Sequence, residues 1–286
     1  MASYLHNHRD FPDLLRILEE ETGIQAFLIE KDYWIMHVLY GLKRQQHSFE
    51  LKGGISLSKA FKIIHRFSED IDIQIHPPAN FKINENPKNT NANNVKARKE
   101  FYDWLAANIQ IDGIVRIERD EAFDDKDYYT SPNQPITISS WAYDKAIATR
   151  GVDILDNRAT DVVCYYPEYT FVEKLQTIAT KYRKEQAGED ERPNFMRQYY
   201  DVYCLLGQER VRGFIGTPEY QEHKQKGFPA ADREIPVVEN QAYLLDNAEI
   251  RASYKKRYED TAGLYYQGQP GFDELLERIK EYLDRL

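Results

Sequence analysis

Gly53, Gly54, Ser56, Lys59, Asp70 and Asp72 stand in the run LKGGISLSKAFKIIHRFSEDIDIQI, from Leu51 to Ile75. A glycine pair ahead of a helix start offers backbone N–H groups that can approach phosphate oxygens closely, and the helix dipole favours an anion there. Ser56 adds a hydroxyl and Lys59 a cation in the next turn, a set that suits a triphosphate. Asp70 and Asp72 alternate with isoleucines, so on a strand both carboxylates point to one face and the isoleucines to the other. Their Cα atoms would lie about 6.5–7 Å apart. That spacing lets the carboxylates converge on a metal pair about 3.5–4 Å apart, as used for in-line phosphoryl displacement. Taken alone, an Asp-x-Asp pair more often marks an edge strand with a solvated acidic face. Glycine turn, serine, lysine and acidic pair in this order shift the reading to phosphate chemistry.

Two familiar phosphate loops do not fit. A Walker-type loop starting at Gly53 would need glycine at Ser58 and a hydroxyl at Ala60. A kinase-type glycine loop would need a catalytic loop and a DFG-like motif, and none follows.

The elements that must position these residues can be read from periodicity. Residues 11–45 read as helices, with Phe27, Trp34, Val38 and Leu42 near the helical period. Phe49 to Leu51 reads as a short strand entering the glycine turn. Ser56 can cap a helix with Leu57, Phe61 and Ile64 on one face, and Asp70 to Ile75 reads as the next strand. Residues 80–94 are asparagine-rich and predict a surface loop, followed by a helix over 95–108. Strand-like runs come at 113–117, 136–141, 152–155 and 162–166. After Pro167 the pattern turns helical, over 171–184, 194–206, 247–258 and 272–286. Strands in the middle and helices at the end predict an α+β chain, with a first domain over 1–166 and a helical domain over 167–286.

Composition narrows little. The 286 residues suffice for a sizeable core. A net charge of −9 argues against a surface built as a whole to grip nucleic acid. It leaves room for a local basic patch, such as Arg251, Lys255, Lys256 and Arg257 on one helix, which is as readily a solvated face. Cys164 and Cys204 are far apart and lack metal-ligand spacing, so the reading is a reducing, cytoplasmic setting without structural zinc. No secretory signal or membrane span is read.

GGISLSKAF followed by RFSEDIDI resembles the nucleotidyltransferase signature of the AbiEii/AbiGii toxin family, in the DNA polymerase β-like superfamily. The family's form is close to KGGTSLSK and then RFSEDID; Ile55 stands here where threonine is usual. EKDYW at Glu30–Trp34 is similar to that family's N-terminal helix. TFVEKL at Thr170–Leu175 and RQYYDVY at Arg197–Tyr203 are similar to its two later motifs. The matches run in the family's order from residue 30 to 206.

The resemblance implies a polymerase β-like nucleotidyltransferase core with a mixed sheet, joined to a C-terminal helical domain. It implies that Gly53, Gly54, Ser56 and Lys59 hold triphosphate, that Asp70 and Asp72 bind metal, that Lys174 contacts the nucleotide and that Asp201 completes the catalytic site. Polymerase β-like enzymes often carry a third carboxylate on a neighbouring strand. Asp153 is the candidate for that metal and base role, although it reads equally well as a strand-end acid; Asp156 reads as a turn residue. Without the family, Lys174 would read as a solvated helix lysine, and Arg197 with Asp201 as an i,i+4 ion pair.

The expected activity is transfer of a nucleoside monophosphate from a nucleoside triphosphate to an acceptor hydroxyl. The expected cofactor is Mg²⁺ in a two-metal site, with Mn²⁺ as the alternative. A toxin role implies an RNA acceptor such as a tRNA 3′ end, and an antitoxin protein encoded nearby. A protein side chain is the in-class alternative acceptor. The readings from other classes are a non-catalytic binding or regulatory descendant and a metal-dependent nuclease.

Overall fold

The computed structural model describes residues 2–84, 91–118, 133–149, 152–189, 191–192 and 194–286. Asn86 and Asn89 of the asparagine-rich segment lie outside them. The chain forms two compact units, one of Met1–Ala60 with Glu69–Tyr165 and one of Phe61–Ser68 with Tyr166–Leu286. The segment Phe61–Ser68, which the sequence reading places in the first domain, therefore packs with the second unit.

The first unit opens with helices α1 (Phe11–Thr22) and α2 (Ala26–Arg44). Gly23, at φ 71°, closes α1 in the left-handed conformation that glycine adopts without a Cβ penalty. The buried face of α2 is Leu28, Ile29, Tyr33, Met36 and Leu39, while Phe27 is 61% exposed. Of the stripe expected through Phe27, Trp34, Val38 and Leu42, Leu42 is buried and Trp34 and Val38 are half-buried, while Asp32 and His37 are buried on this helix as well.

Strand β1 (Ser48–Leu51) leads into a tight turn made of α3 (Gly53–Ile55) and a π-helical turn over Ser56–Ala60. The helix expected from Ser56 through Ile64 is only this turn, and residues 61–68 are irregular. Strand β2 (Ile73–His76) follows, then α4 (Ala92–Asn108), β3 (Asn133–Ile138), α5 (Trp141–Ala148) and β4 (Ala159–Tyr165). The strand expected at 113–117 does not form, and Val115 there is 99% exposed.

The sheet order is β2-β1-β4-β3, with β1 antiparallel to β2 and parallel to β4, and β3 antiparallel to β4. It is the mixed sheet of an α+β fold. Pro135 is tolerated in β3 because β3 is an edge strand. Phe49 and Leu51 of β1 and Val162 and Cys164 of β4 are buried, which seats the core of this unit on the sheet.

The second unit is helical: α6 (Pro167–Gln186), α7 (Arg197–Leu206), α8 (Glu209–Phe214), α9 (Pro218–Gly227), α10 (Ala230–Arg233), α11 (Gln241–Leu244), α12 (Ala248–Glu259) and α13 (Phe272–Lys280). Its core gathers Phe171, Leu175, Phe195, Tyr199, Tyr243 and Phe272, all essentially fully buried. Tyr199 and Tyr243 donate to the carbonyls of Ala242 and Leu175, so these two buried hydroxyls are satisfied. Phe61–Ser68 joins this unit through the Phe67 N–H to the Leu264 carbonyl and the Tyr266 N–H to the His65 carbonyl. No described helix is long and apolar enough to cross a membrane.

Candidate nucleotidyltransferase site

The β1–β2 register pairs Leu51 with Ile73 and Glu50 with Gln74. It continues one step beyond the strands, where the Lys52 N–H donates to the Asp72 carbonyl at 2.7 Å. Asp70 and Asp72 are therefore not in a strand but in the extended run that feeds β2, and both are exposed. The alternation past Ile73 and Ile75 still sets which face Asp72 takes. Pairing at its N-terminal end holds Asp72 against the glycine turn.

Gly53 has φ 63°, and a Cβ built on it would lie 1.9 Å from Asp72 Oδ2. The carboxylate of Asp72 thus packs directly on the Cα of Gly53, so any side chain there would displace that carboxylate and strain a left-handed backbone. The turn's leading N–H groups have no partner one turn earlier, as at any helix start, so they are donors for an anion.

Ser56 is fully buried, with its hydroxyl facing the Tyr165 carbonyl at 3.5 Å. It ties the turn to β4. Ser58 is the half-buried hydroxyl of the turn. Lys59 turns inward, with its ammonium 2.7 Å from Asp32 Oδ1 and 3.8 Å above the Trp141 ring. Burial pushes the Asp32 carboxyl up despite the pull of Lys59, and pushes the Lys59 ammonium down.

Asp153 is exposed and precedes Ile154, which makes an isolated bridge to Ser3 outside the four-stranded sheet. The strand expected over 152–155 is only that bridge. The strand beside β2 is β1, and its carboxylate is Glu50. Glu50 shares the face of Asp72, Gln74 and His76, and its Oε1 lies 3.6 Å from His76 Nε2. Glu50 Oε2 and both amide atoms of Gln74 are buried without a hydrogen-bond partner. Glu50 escaped the sequence reading because it looks like a strand residue ahead of the glycines; its alternation with Phe49 and Leu51 was the available signal. Asp156 forms a two-pronged pair with Arg158, which draws its carboxyl down to about 2.

In the second unit, Asp201 on α7 is completely buried. Arg66 grips it with Nε at 2.7 Å from Oδ1 and Nη2 at 2.6 Å from Oδ2, and Lys174 on α6 reaches Oδ2 at 3.0 Å. Arg66 also donates to the Phe67 carbonyl. Burial raises the Asp201 carboxyl, but Arg66 and Lys174 outweigh it and hold the group below the usual carboxylate range. The structure thus brings Lys174 and Asp201 together and adds Arg66, a residue the sequence reading passed over inside HRFSEDID. The ion pair of Asp201 is thus with Arg66 and Lys174, in place of the i,i+4 pair with Arg197 that the residues suggest without the family.

The basic run on α12 is mostly neutralised. Arg251 and Lys255 pair with Asp273, and Arg257 pairs with the buried Glu185.

No curated protein and no solved structure matches the chain. A family model described as "AbiEii: Nucleotidyl transferase AbiEii toxin, Type IV TA system" matches residues 37–278. That span begins just after EKDYW and takes in the glycine turn, the acidic pair, Lys174 and Asp201. A mixed sheet, a glycine turn pressed on an acidic run and this match agree, and the chain belongs to the AbiEii family of nucleotidyl transferase toxins of type IV toxin–antitoxin systems.

Proposed function

We propose that this chain transfers a nucleoside monophosphate from a nucleoside triphosphate to an RNA hydroxyl, with a tRNA 3′ end as the acceptor, in the cytoplasm and under the control of an antitoxin. The observation that carries this reading is the contact of the Asp72 carboxylate with Gly53. It sets an acid beside amide groups suited to phosphate, and a triphosphate with its cation needs both at once.

The residues fit a divalent cation of the Mg²⁺ type. Among the described residues no group of three or more His, Cys, Asp or Glu side chains gathers as a protein-only cage. Mg²⁺ does not ask for one, because it is commonly held by one or two carboxylates together with substrate phosphates and water. Asp70 and Asp72, both exposed, would hold it, with Mn²⁺ as a substitute. When bound, the cation neutralises phosphate charge and favours the ionised form of an attacking hydroxyl.

The protein's own part is positioning. The Gly53–Gly54 amides orient the triphosphate, and Ser56 anchors the turn from behind. Within the helical unit, Asp201 holds Lys174 in one direction and acts through it. The acceptor oxygen forms the new bond to the α-phosphorus, the α–β bridging bond breaks, and pyrophosphate leaves.

The test is incubation of the protein with each α-labelled nucleoside triphosphate, Mg²⁺ and total tRNA. Label in RNA that disappears with Asp72→Asn supports the reading. Label in protein instead would replace the acceptor, and neither transfer nor triphosphate binding would favour a non-catalytic descendant.

A further inference from the structure

Lys59 looks from the sequence like a phosphate-binding cation, but its surroundings give it other work. Its ammonium lies within 2.7 Å of Asp32 Oδ1 and 2.8 Å of Oδ2. The side chains are only 12% and 4% exposed. The indole of Trp141 covers the ammonium at 3.8 Å, and the backbone N–H of Trp141 donates to Asp32 Oδ2 at 3.0 Å. Trp141 is the first residue of α5, whose start Ser140 caps by accepting from the Tyr143 N–H. One buried ion pair therefore joins α2, the start of α5 and the trailing half of the glycine turn.

We infer that Asp32 and Lys59 are positioning residues that lock the glycine turn in its phosphate-holding shape, and that Lys59 does not contact the triphosphate. The inference rests on the nucleotidyltransferase reading of that turn. The turn is fixed at two ends. Its leading end is held by the Lys52–Asp72 backbone bond and the Asp72 carboxylate on Gly53. Its trailing end is held by Lys59, through Asp32. To reach a phosphate, Lys59 would have to leave a carboxylate and an aromatic face together, stranding a buried Asp32. The pair lets a short turn of mixed helical geometry persist without ligand, so its amide donors are aligned before the substrate arrives.

Single and double neutral variants separate the two roles. Positioning predicts that Lys59→Gln and Asp32→Asn each lower kcat/KM for the triphosphate by about 10- to 100-fold, and alike, because both loosen the turn. It also predicts that the double variant, a neutral hydrogen-bonded pair, is less impaired than either single one. A phosphate-binding lysine predicts a raised KM in Lys59→Gln, an unchanged or lowered KM in Asp32→Asn, and a double variant as poor as Lys59→Gln; that pattern overturns the inference.

Hydrogen exchange of the Gly53–Ala60 amides in the ligand-free protein gives a readout independent of turnover. Faster exchange there in both single variants, with β3 and β4 unchanged, supports the inference even if no transfer is ever detected. Unchanged exchange in the turn of folded variants contradicts it, whether or not the protein is a transferase.

Discussion

Gly53 and Asp72 are in direct contact: the carboxylate of one occupies the space where a side chain on the other would begin. Gly53→Ala therefore meets two penalties, a left-handed backbone at φ 63° and a displaced Asp72 carboxylate. Gly188, at φ 90° with nothing within 4 Å, meets only the first. Each should lose about 1–2 kcal/mol from the backbone term. Gly53→Ala alone should also lose transfer, by about 100-fold or more if Asp72 is displaced by an ångström. Chemical denaturation and the transfer assay, run on both variants, check this.

The carboxylate beside Asp72 across the sheet is Glu50, a diagonal neighbour at roughly 7–8 Å on the common face. Asp153 lies outside the sheet, exposed next to the bridge to Ser3. Glu50→Gln should depress transfer, whereas Asp153→Asn should leave it intact. The reverse result would restore Asp153 as the third carboxylate.

Gln74 is buried with neither amide atom bonded, while Gln74→Met keeps its length without the polar end. The substitution should raise stability by about 1–3 kcal/mol, the cost of burying an unpaired polar group. A lower Tm in Gln74→Met would mean that the amide is satisfied in solution.

Asp201 supplies a pH signature. Its folded-state pKa is depressed, so its contribution to stability is present above the ordinary carboxylate value near 3.9 and is lost as pH falls through the lower folded value. Asp201→Asn leaves Arg66 and Lys174 without their counter-charge and should cost about 3–5 kcal/mol at neutral pH. The gap to the unsubstituted protein should close only below about pH 4. Denaturation measured from pH 7 downwards gives the profile.

The glycine turn, the acidic pair and the helical character after Pro167 were legible because each has a local signature. Glycine doublets, alternation and 3.6-residue spacing need no knowledge of the rest of the chain. What escaped was set by partners distant in sequence. Lys59 faces inward because of Asp32, 27 residues away, and Asp201 is gripped by Arg66, 135 residues away. The expected helix over residues 56–64 stops at Ala60 because Phe61–Ser68 joins the other unit, which spacing of apolar residues cannot reveal. Asp153 alternates like a strand residue, but among the described residues its segment pairs only with Ser3.

The most direct test follows the phosphorus. Nucleoside triphosphate labelled in the α-phosphate and, separately, in the γ-phosphate would be incubated with the protein, Mg²⁺ and tRNA. Nucleotidyl transfer predicts that α-label enters RNA, that γ-label appears only in pyrophosphate, and that Asp70→Ala abolishes both. Transfer of γ-label to an acceptor, or RNA cleavage with no label incorporated, would contradict nucleotidyl transfer at the Gly53–Asp72 turn.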